Sequence, residues 1–260
     1  MLGHRLLFAM QTLGVAGRIL AENMRQQRAL IFWAVFPALM LLLFGWIYGN
    51  NPTMPGSLDT TPAGILIGAA LFFSCLGGTV SILVAERERR TLRRLLISPL
   101  HPAAYFLGIV LALSTIALLQ AAIVYTLAYL MGSHFYGSFW LGVVIVALSV
   151  FAYVGLGFFF GTRFAKRAED VNGPVAAFGV PLLVLAGTWF PVSLLPKFLL
   201  QIAWFDPIFH MNESLKAVAG RGAGWSELAD NLIFLAAFSA VALAVGIASY
   251  RRMLVVEKRS

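Results

Sequence analysis

Hydrophobic positions along this chain fall into long, nearly unbroken runs, separated by short polar clusters. Six runs predict membrane-crossing helices, at about 29–49, 63–85, 103–131, 139–161, 174–190 and 229–250. About 20 helical residues rising about 1.5 Å each cross a hydrocarbon core of about 30 Å. Pro37 lies inside the first run and predicts a kink. The third run is long enough to tilt or to protrude. The fifth opens near Pro174, a residue tolerated where a helix starts.

Two stretches break this pattern. Residues 1–28 mix short apolar groups with Arg5, Arg18, Arg25 and Arg28, and Leu6, Leu13, Leu20 and Met24 share one helical side. Such a stretch is too interrupted to span and predicts an amphipathic helix lying in the membrane interface. From Val192 to Phe205 the chain is apolar for 14 residues, with Pro196 and Lys197 inside. That length is too short to span, so residues 191–205 read as a re-entrant or interfacial element between spans five and six. Asp206–Pro207 closes it, and Gly220, Gly222 and Gly224 loosen the segment after it.

Composition removes the soluble alternatives. Of 260 residues, 60% are hydrophobic and 12% charged, about half the charged fraction of soluble domains. So little charge could not cover a soluble surface, and the fold class is an all-α integral membrane protein. The net charge of +8 does not indicate nucleic acid, because every Lys and Arg sits beside the ends of the apolar runs. Sixteen of the 19 basic residues belong to the N-terminus, to the clusters after spans two and four, or to the tail at 251–260. Only Lys197, Lys216 and Arg221 fall on the other side, so both termini are expected to be cytoplasmic. Cys75 is the lone cysteine, which excludes an intrachain disulfide.

The cluster after span two has more structure than a topology signal requires. Glu86, Arg87, Glu88, Arg89, Arg90, Thr91, Leu92, Arg93 and Arg94 lead into Leu95, Leu96, Ile97, Ser98 and Pro99. As a helix over 86–97, the stretch puts Leu92, Leu95 and Leu96 on one face, and Glu86 four residues before Arg90 in the favourable order for an ion pair. Pro99 stops the helix. A plain basic loop would carry the arginines equally well, but it would have no use for a presented leucine face.

No acidic or basic side chain lies well inside a span, which counts against a proton-coupled antiporter, an ion pump or a voltage sensor. His4, His101, His134 and His210 are too scattered to ligate a metal. Neither a nucleophile with a partnered base nor a phosphate-binding loop is present, so no catalytic residue and no bound cofactor is expected. Phe72, Phe73, Trp189 and Phe190 could line a path for an amphipathic molecule, or simply pack between helices and lipid. Trp140, Trp204 and Trp225 sit where interfacial belts occur. Gly77–Gly78 and Gly155-x-Gly157 permit close helix approach.

On these residues the chain resembles the permease subunits of type-2 ABC exporters. The run Glu86–Pro99 is similar to that family's coupling element, with Arg90 where glycine is usual and Arg93 where glutamate is common. Phe190, Pro191, Leu195 and Pro196, followed by Asp206–Pro207, are similar to its outer gate element between spans five and six. An interfacial helix followed by six spans completes the likeness.

The resemblance implies half of a transporter without an ATPase site of its own. ATP and Mg would reside in separate ATP-binding subunits docked on the coupling helix through Glu86, Glu88, Arg89, Arg90, Thr91, Leu92, Arg94, Leu95, Leu96 and Pro99. A second copy or a related permease would complete a dimer among membrane lipids. Its setting would be a bacterial or archaeal-type plasma (inner) membrane. The expected cargo is an amphipathic drug-like or lipid molecule. A polysaccharide or glycolipid exporter is the alternative within transport, and a membrane-embedded enzyme or scaffold subunit the alternative outside it.

Overall fold

The computed structural model describes residues 2–25, 27–50, 57–88, 100–165 and 169–259, which form helices and no strand. At the centre lies one continuous helical rod, Ser57–Glu88. It consists of α3 (Ser57–Gly64), a π-helical stretch (Ile65–Gly77) and α4 (Gly78–Glu88). Its most apolar window is 78% buried, against 22% in the first span and 28% in the last, so the other helices are arranged around it. The rod begins before the expected start at residue 63, so part of the stretch between the first two expected spans is helix. A π-helical segment of 13 residues is unusual, since such turns mostly occur singly and often near functional sites.

Around the rod stand α1 (Leu2–Arg25), α2 (Gln27–Gly49), α5 (Pro102–Leu130) and α6 (Phe139–Arg163). The expected N-terminal helix is present as α1, with two apolar sides. Val15, Ala16 and Ile19 are buried, while Leu6, Leu7, Met10, Leu13 and Met24 remain exposed. The buried side lies on α5 so tightly that a Cβ on Gly108 would come within 2.6 Å of Val15. His101 caps α5, its Nδ1 accepting from the Ala103 amide at 3.2 Å, and Pro102 takes the first helical position.

Glycine spacing on α6 explains its two neighbours. Gly157 and Gly161 abut Thr79 and Leu83 of the rod, while Gly155 faces the opposite way onto the last helix, α10 (Ala229–Arg259). A Cβ on Gly155 would lie 2.5 Å from the main chain of Ala242, and one on Gly246 2.6 Å from the Gly155 carbonyl. Backbones in such contact need glycine on both helices. Of the expected Gly77–Gly78 pair, Gly77 has open space about its Cα and only Gly78 meets a neighbour, Leu113.

Between α6 and α10 the sequence expectation needs correction. Helix α7 (Glu169–Leu185) starts before Pro174 and stops short of Phe190, because Gly187 turns the chain at φ +64°. It has 17 residues. Among the described residues, five helices, α7 not among them, are long and apolar enough to cross a membrane by length and composition. The expected re-entrant element is two short pieces, a 3₁₀ turn (Val192–Leu194) and α8 (Lys197–Ala203). The glycine-loosened segment beyond it is a helix, α9 (Pro207–Arg221). Asp206 caps α9, Pro207 is its first residue, and Gly222 ends it in the left-handed region at φ +69°. The expected basic tail at 251–260 continues the last helix, since α10 remains helical to Arg259.

Candidate functional site

The last turn of α4 carries Glu86, Arg87 and Glu88, and each has a different setting. Glu86 is buried and turned into its own chain. One carboxylate oxygen pairs with the Arg18 guanidinium of α1, and the other accepts from the Tyr105 hydroxyl of α5. Tyr105 in turn stacks on Tyr250 of α10, ring centroids 5.5 Å apart. Burial alone would lower the Arg18 pKa, but the Glu86 carboxylate outweighs it and raises the value. Glu86 is thus turned inward, because the carboxylate finds a cation and a hydroxyl inside its own chain, while Arg90, the partner that helical spacing suggests, lies outside the described residues.

Arg87 reaches the other way. Its guanidinium donates to the Ala165 carbonyl and, at 3.4 Å, to the Thr162 carbonyl at the C-terminal end of α6. A cation there meets carbonyls that have no helical donor, at the negative end of the helix dipole. Glu88 is exposed. Arg89, Arg90, Thr91, Leu92, Arg94, Leu95, Leu96 and Pro99 lie outside the described residues.

Deeper in the bundle, a polar chain crosses three helices. The Ser74 hydroxyl of the π-helical stretch donates to Gln120 Oε1 at 2.8 Å. Gln120 Nε2 donates to the Trp33 carbonyl at 2.9 Å. Phe72 and Phe73 sit nearby as packing groups. Phe72 lies against Tyr153 (5.7 Å) and Phe73 (5.2 Å), and Phe73 against Phe36 of α2 (6.0 Å). Gly179 of α7 leaves room for the Phe72 ring, which a Cβ there would approach to 2.4 Å.

At the far end from Glu86, residues 187–193 form one wall of a cavity of about 380 Å³. Three side chains hold this segment. Tyr48 donates to the Trp189 carbonyl (2.7 Å), Asn212 to the Ala186 carbonyl (3.0 Å), and Lys216 to the Gly187 carbonyl (2.6 Å). Thr188 occupies the hollow left by Gly64 and Gly68 of the rod. Lys216 also pairs with Glu213 at 3.2 Å. Burial lowers the Lys216 pKa, and Glu213 partly opposes that shift.

Of the residues expected to form a gate, Phe190 and Pro191 line this cavity, as does Trp189 of the expected pathway. Leu195 and Pro196 are not among its lining residues, and Asp206 and Pro207 stand at the start of α9. The sequence reading missed Gln120, Tyr48, Asn212, Glu213 and Lys216. Two signals for them were present: a glutamine inside an apolar span, and a lysine on the side of the membrane that is poor in basic residues. Among the described residues, no three His, Cys, Asp or Glu side chains gather to hold a metal.

Comparison with known proteins agrees with this architecture. The family described as "ABC-2 family transporter protein" matches residues 52–248. The chain is 26% identical over 178 residues to the inner membrane transport permease YhhJ of Escherichia coli (strain K12), covering 68% of this chain and 47% of that one. It is 30% identical over 168 residues to a protein of the same strain named "Probable multidrug ABC transporter permease YbhR", covering 62% and 45%. The chain thus spans about half the length of these curated relatives. With the family pattern extending over most of its residues, from the start of the central rod to the last helix, this chain belongs to the ABC-2 family of transporter proteins.

Proposed function

We propose that the chain is the transmembrane half of an export complex driven by separate ATP-binding subunits, paired with a second copy or a related permease. The observation that carries this reading is the grip on the last turn of α4. Glu86 fixes it to α1 and α5, Arg87 fixes it to α6, and residues 89–99 come directly after. A displacement of that stretch therefore reaches three helices through two neighbouring side chains. The arrangement suits a lever worked from the cytoplasmic side by a nucleotide-binding partner. ATP and Mg belong to that partner.

Six crossings fit the geometry. Arg18, Glu86, Tyr105 and Tyr250 meet at one end of the bundle, together with Arg87 and the end of α6. Tyr48 and Trp189 meet at the other. Helix α7 connects the two ends and supplies the sixth crossing, its 17 residues reaching about 25 Å at about 1.5 Å each. The basic clusters place the Glu86 end, and both termini, in the cytoplasm of a plasma (inner) membrane. Residues 191–205 then dip into the outer leaflet, gating the cavity lined by Trp189, Phe190 and Pro191.

The cargo is an amphipathic drug-like or lipid molecule. Spans without Lys, Arg, Asp or Glu in their middle favour it over an ion, and one relative carries the word "multidrug" in its name. The test is reconstitution with a co-expressed ATP-binding subunit and ATP-dependent efflux of a fluorescent amphiphile. Leu92→Ala and Leu95→Ala should release the partner or uncouple hydrolysis from efflux, since central apolar anchors often contribute about 2 kcal/mol or more each. Arg94→Ala should be milder and more sensitive to salt. Full partner binding and full efflux in both leucine variants would overturn the reading.

A further inference from the structure

A second cavity, larger than the one at Trp189, lies elsewhere in the bundle. A groove of about 580 Å³ runs between α5 and α6, and nearly all of its wall is hydrocarbon. Its origin is a strip of small residues, including Ala117, Ala121 and Ala122 on α5 and Gly142 and Ala147 on α6, that face one another without closing the space. Ala122 and Leu118 are exposed on its flank, so the groove opens sideways between two membrane-crossing helices.

Polarity along the groove is uneven. Tyr125 lies near the turn between α5 and α6, its ring edge-on to Phe135 at 5.5 Å. Its hydroxyl is buried and has no hydrogen-bond partner among the described residues. A buried hydroxyl without a partner needs an acceptor, and no wall group of the groove supplies one. Ser114 marks the other end of the groove along α5. The 11 helical steps from Ser114 to Tyr125 rise about 16 Å, close to the thickness of one leaflet, half of a core of about 30 Å.

We infer that this groove is a binding site for one ester-linked acyl chain of a bilayer lipid. The tail lies along the alanine and glycine strip, and the ester carbonyl accepts from the Tyr125 hydroxyl. Three observations select that occupant: the sideways opening, the one-leaflet length, and a lone donor at the end where a glycerolipid carries its ester. The site is separate from the cavity at Trp189, and the inference does not depend on the direction of transport or on the ATP-binding partner.

The experiment uses the full chain in phosphatidylcholine vesicles containing a trace of phosphatidylcholine with a diazirine in its acyl chain. After irradiation, adducts should concentrate on peptides 117–125 and 143–151 rather than on the exposed faces of α2 and α10. Ala122→Trp, which fills the mouth from an exposed position, should abolish most of that labelling without affecting the fold. Tyr125→Phe should lower it about fivefold for the ester-linked probe, the equivalent of one net hydrogen bond of about 1 kcal/mol, and leave an ether-linked probe unchanged. Any of four results would overturn the site: labelling spread evenly over the lipid-facing surface, labelling indifferent to both variants, stronger labelling by a free diazirine fatty acid, or chain-to-chain cross-links in place of lipid adducts.

Discussion

The side-chain amide of Gln120 donates to the main-chain carbonyl of Trp33 at 2.9 Å, the carbonyl that Pro37 leaves without a helical donor. A proline has no N–H to return to the residue four positions earlier, so α2 would otherwise expose a bare carbonyl inside the membrane. Gln120 of α5 covers it, and the Ser74 hydroxyl completes the amide from the other side. Gln120→Leu should therefore lower stability by about 1–2 kcal/mol. In a Pro37→Ala background, where residue 37 can bond Trp33 itself, the same change should cost less. Thermal unfolding of the four variants in detergent forms a double-mutant cycle, and additive losses would contradict the coupling.

Breaking the pair at the end of α4 should loosen α1. Arg18→Leu leaves the Glu86 carboxylate buried with only the Tyr105 hydroxyl. The Arg18 side chain is 31% exposed, so the expected loss is about 1–3 kcal/mol, below that of a fully buried pair. The double variant Arg18→Leu/Glu86→Gln should recover part of it. Protease cleavage within residues 2–25 checks this: faster in the single variant, slower again in the double.

The contact between α6 and α10 should tolerate no side chain at residue 155. A Cβ there would meet main-chain atoms of Ala242 at 2.5 Å, and main chain cannot rotate aside. Gly155→Ala should lower stability by about 1–3 kcal/mol. At Gly77 nothing lies within 4 Å of an added Cβ. Gly77→Ala should stay within about 0.5 kcal/mol of the parent. Equal unfolding midpoints for the two variants would refute the packing argument.

Asp206 should make stability depend on pH in an unusual direction. One of its carboxylate oxygens accepts from the Ile208 amide at 2.9 Å, while the other is buried without a partner among the described residues. Burial raises the carboxyl from an ordinary 3.8 to about 6, although the Ile208 bond and His210 both act to lower it. The folded chain then holds a proton that the unfolded chain releases between pH 3.8 and about 6. This stabilisation is complete below 3.8 and is lost as pH rises through about 6. Asp206→Asn keeps the helix cap and should flatten that part of the curve, raising the midpoint above about pH 6. An unchanged pH profile in the variant would exclude Asp206 as its source.

From its sequence alone, the chain already specifies most of its architecture. Runs of about 20 apolar residues must be helices in lipid, because no other local structure satisfies every backbone group there. Five of the six expected spans result from that constraint. Family membership is equally legible, through motifs carried by the residues themselves. The features left open in the sequence depended on partners distant along the chain. Gly220, Gly222 and Gly224 suggest a loosened segment, but Asp206–Pro207 and Gly222 bound a helix there, α9, from which Asn212 and Lys216 bond to residues 186 and 187. Spacing suited Glu86 to Arg90, four residues on, but tertiary structure gave it Arg18, which is 68 residues away. Local periodicity fixes which residues share a helical face. Only the packing of whole helices decides which buried charge, carbonyl or glycine meets which neighbour, because burial makes an unmatched polar group more costly than any local preference is favourable.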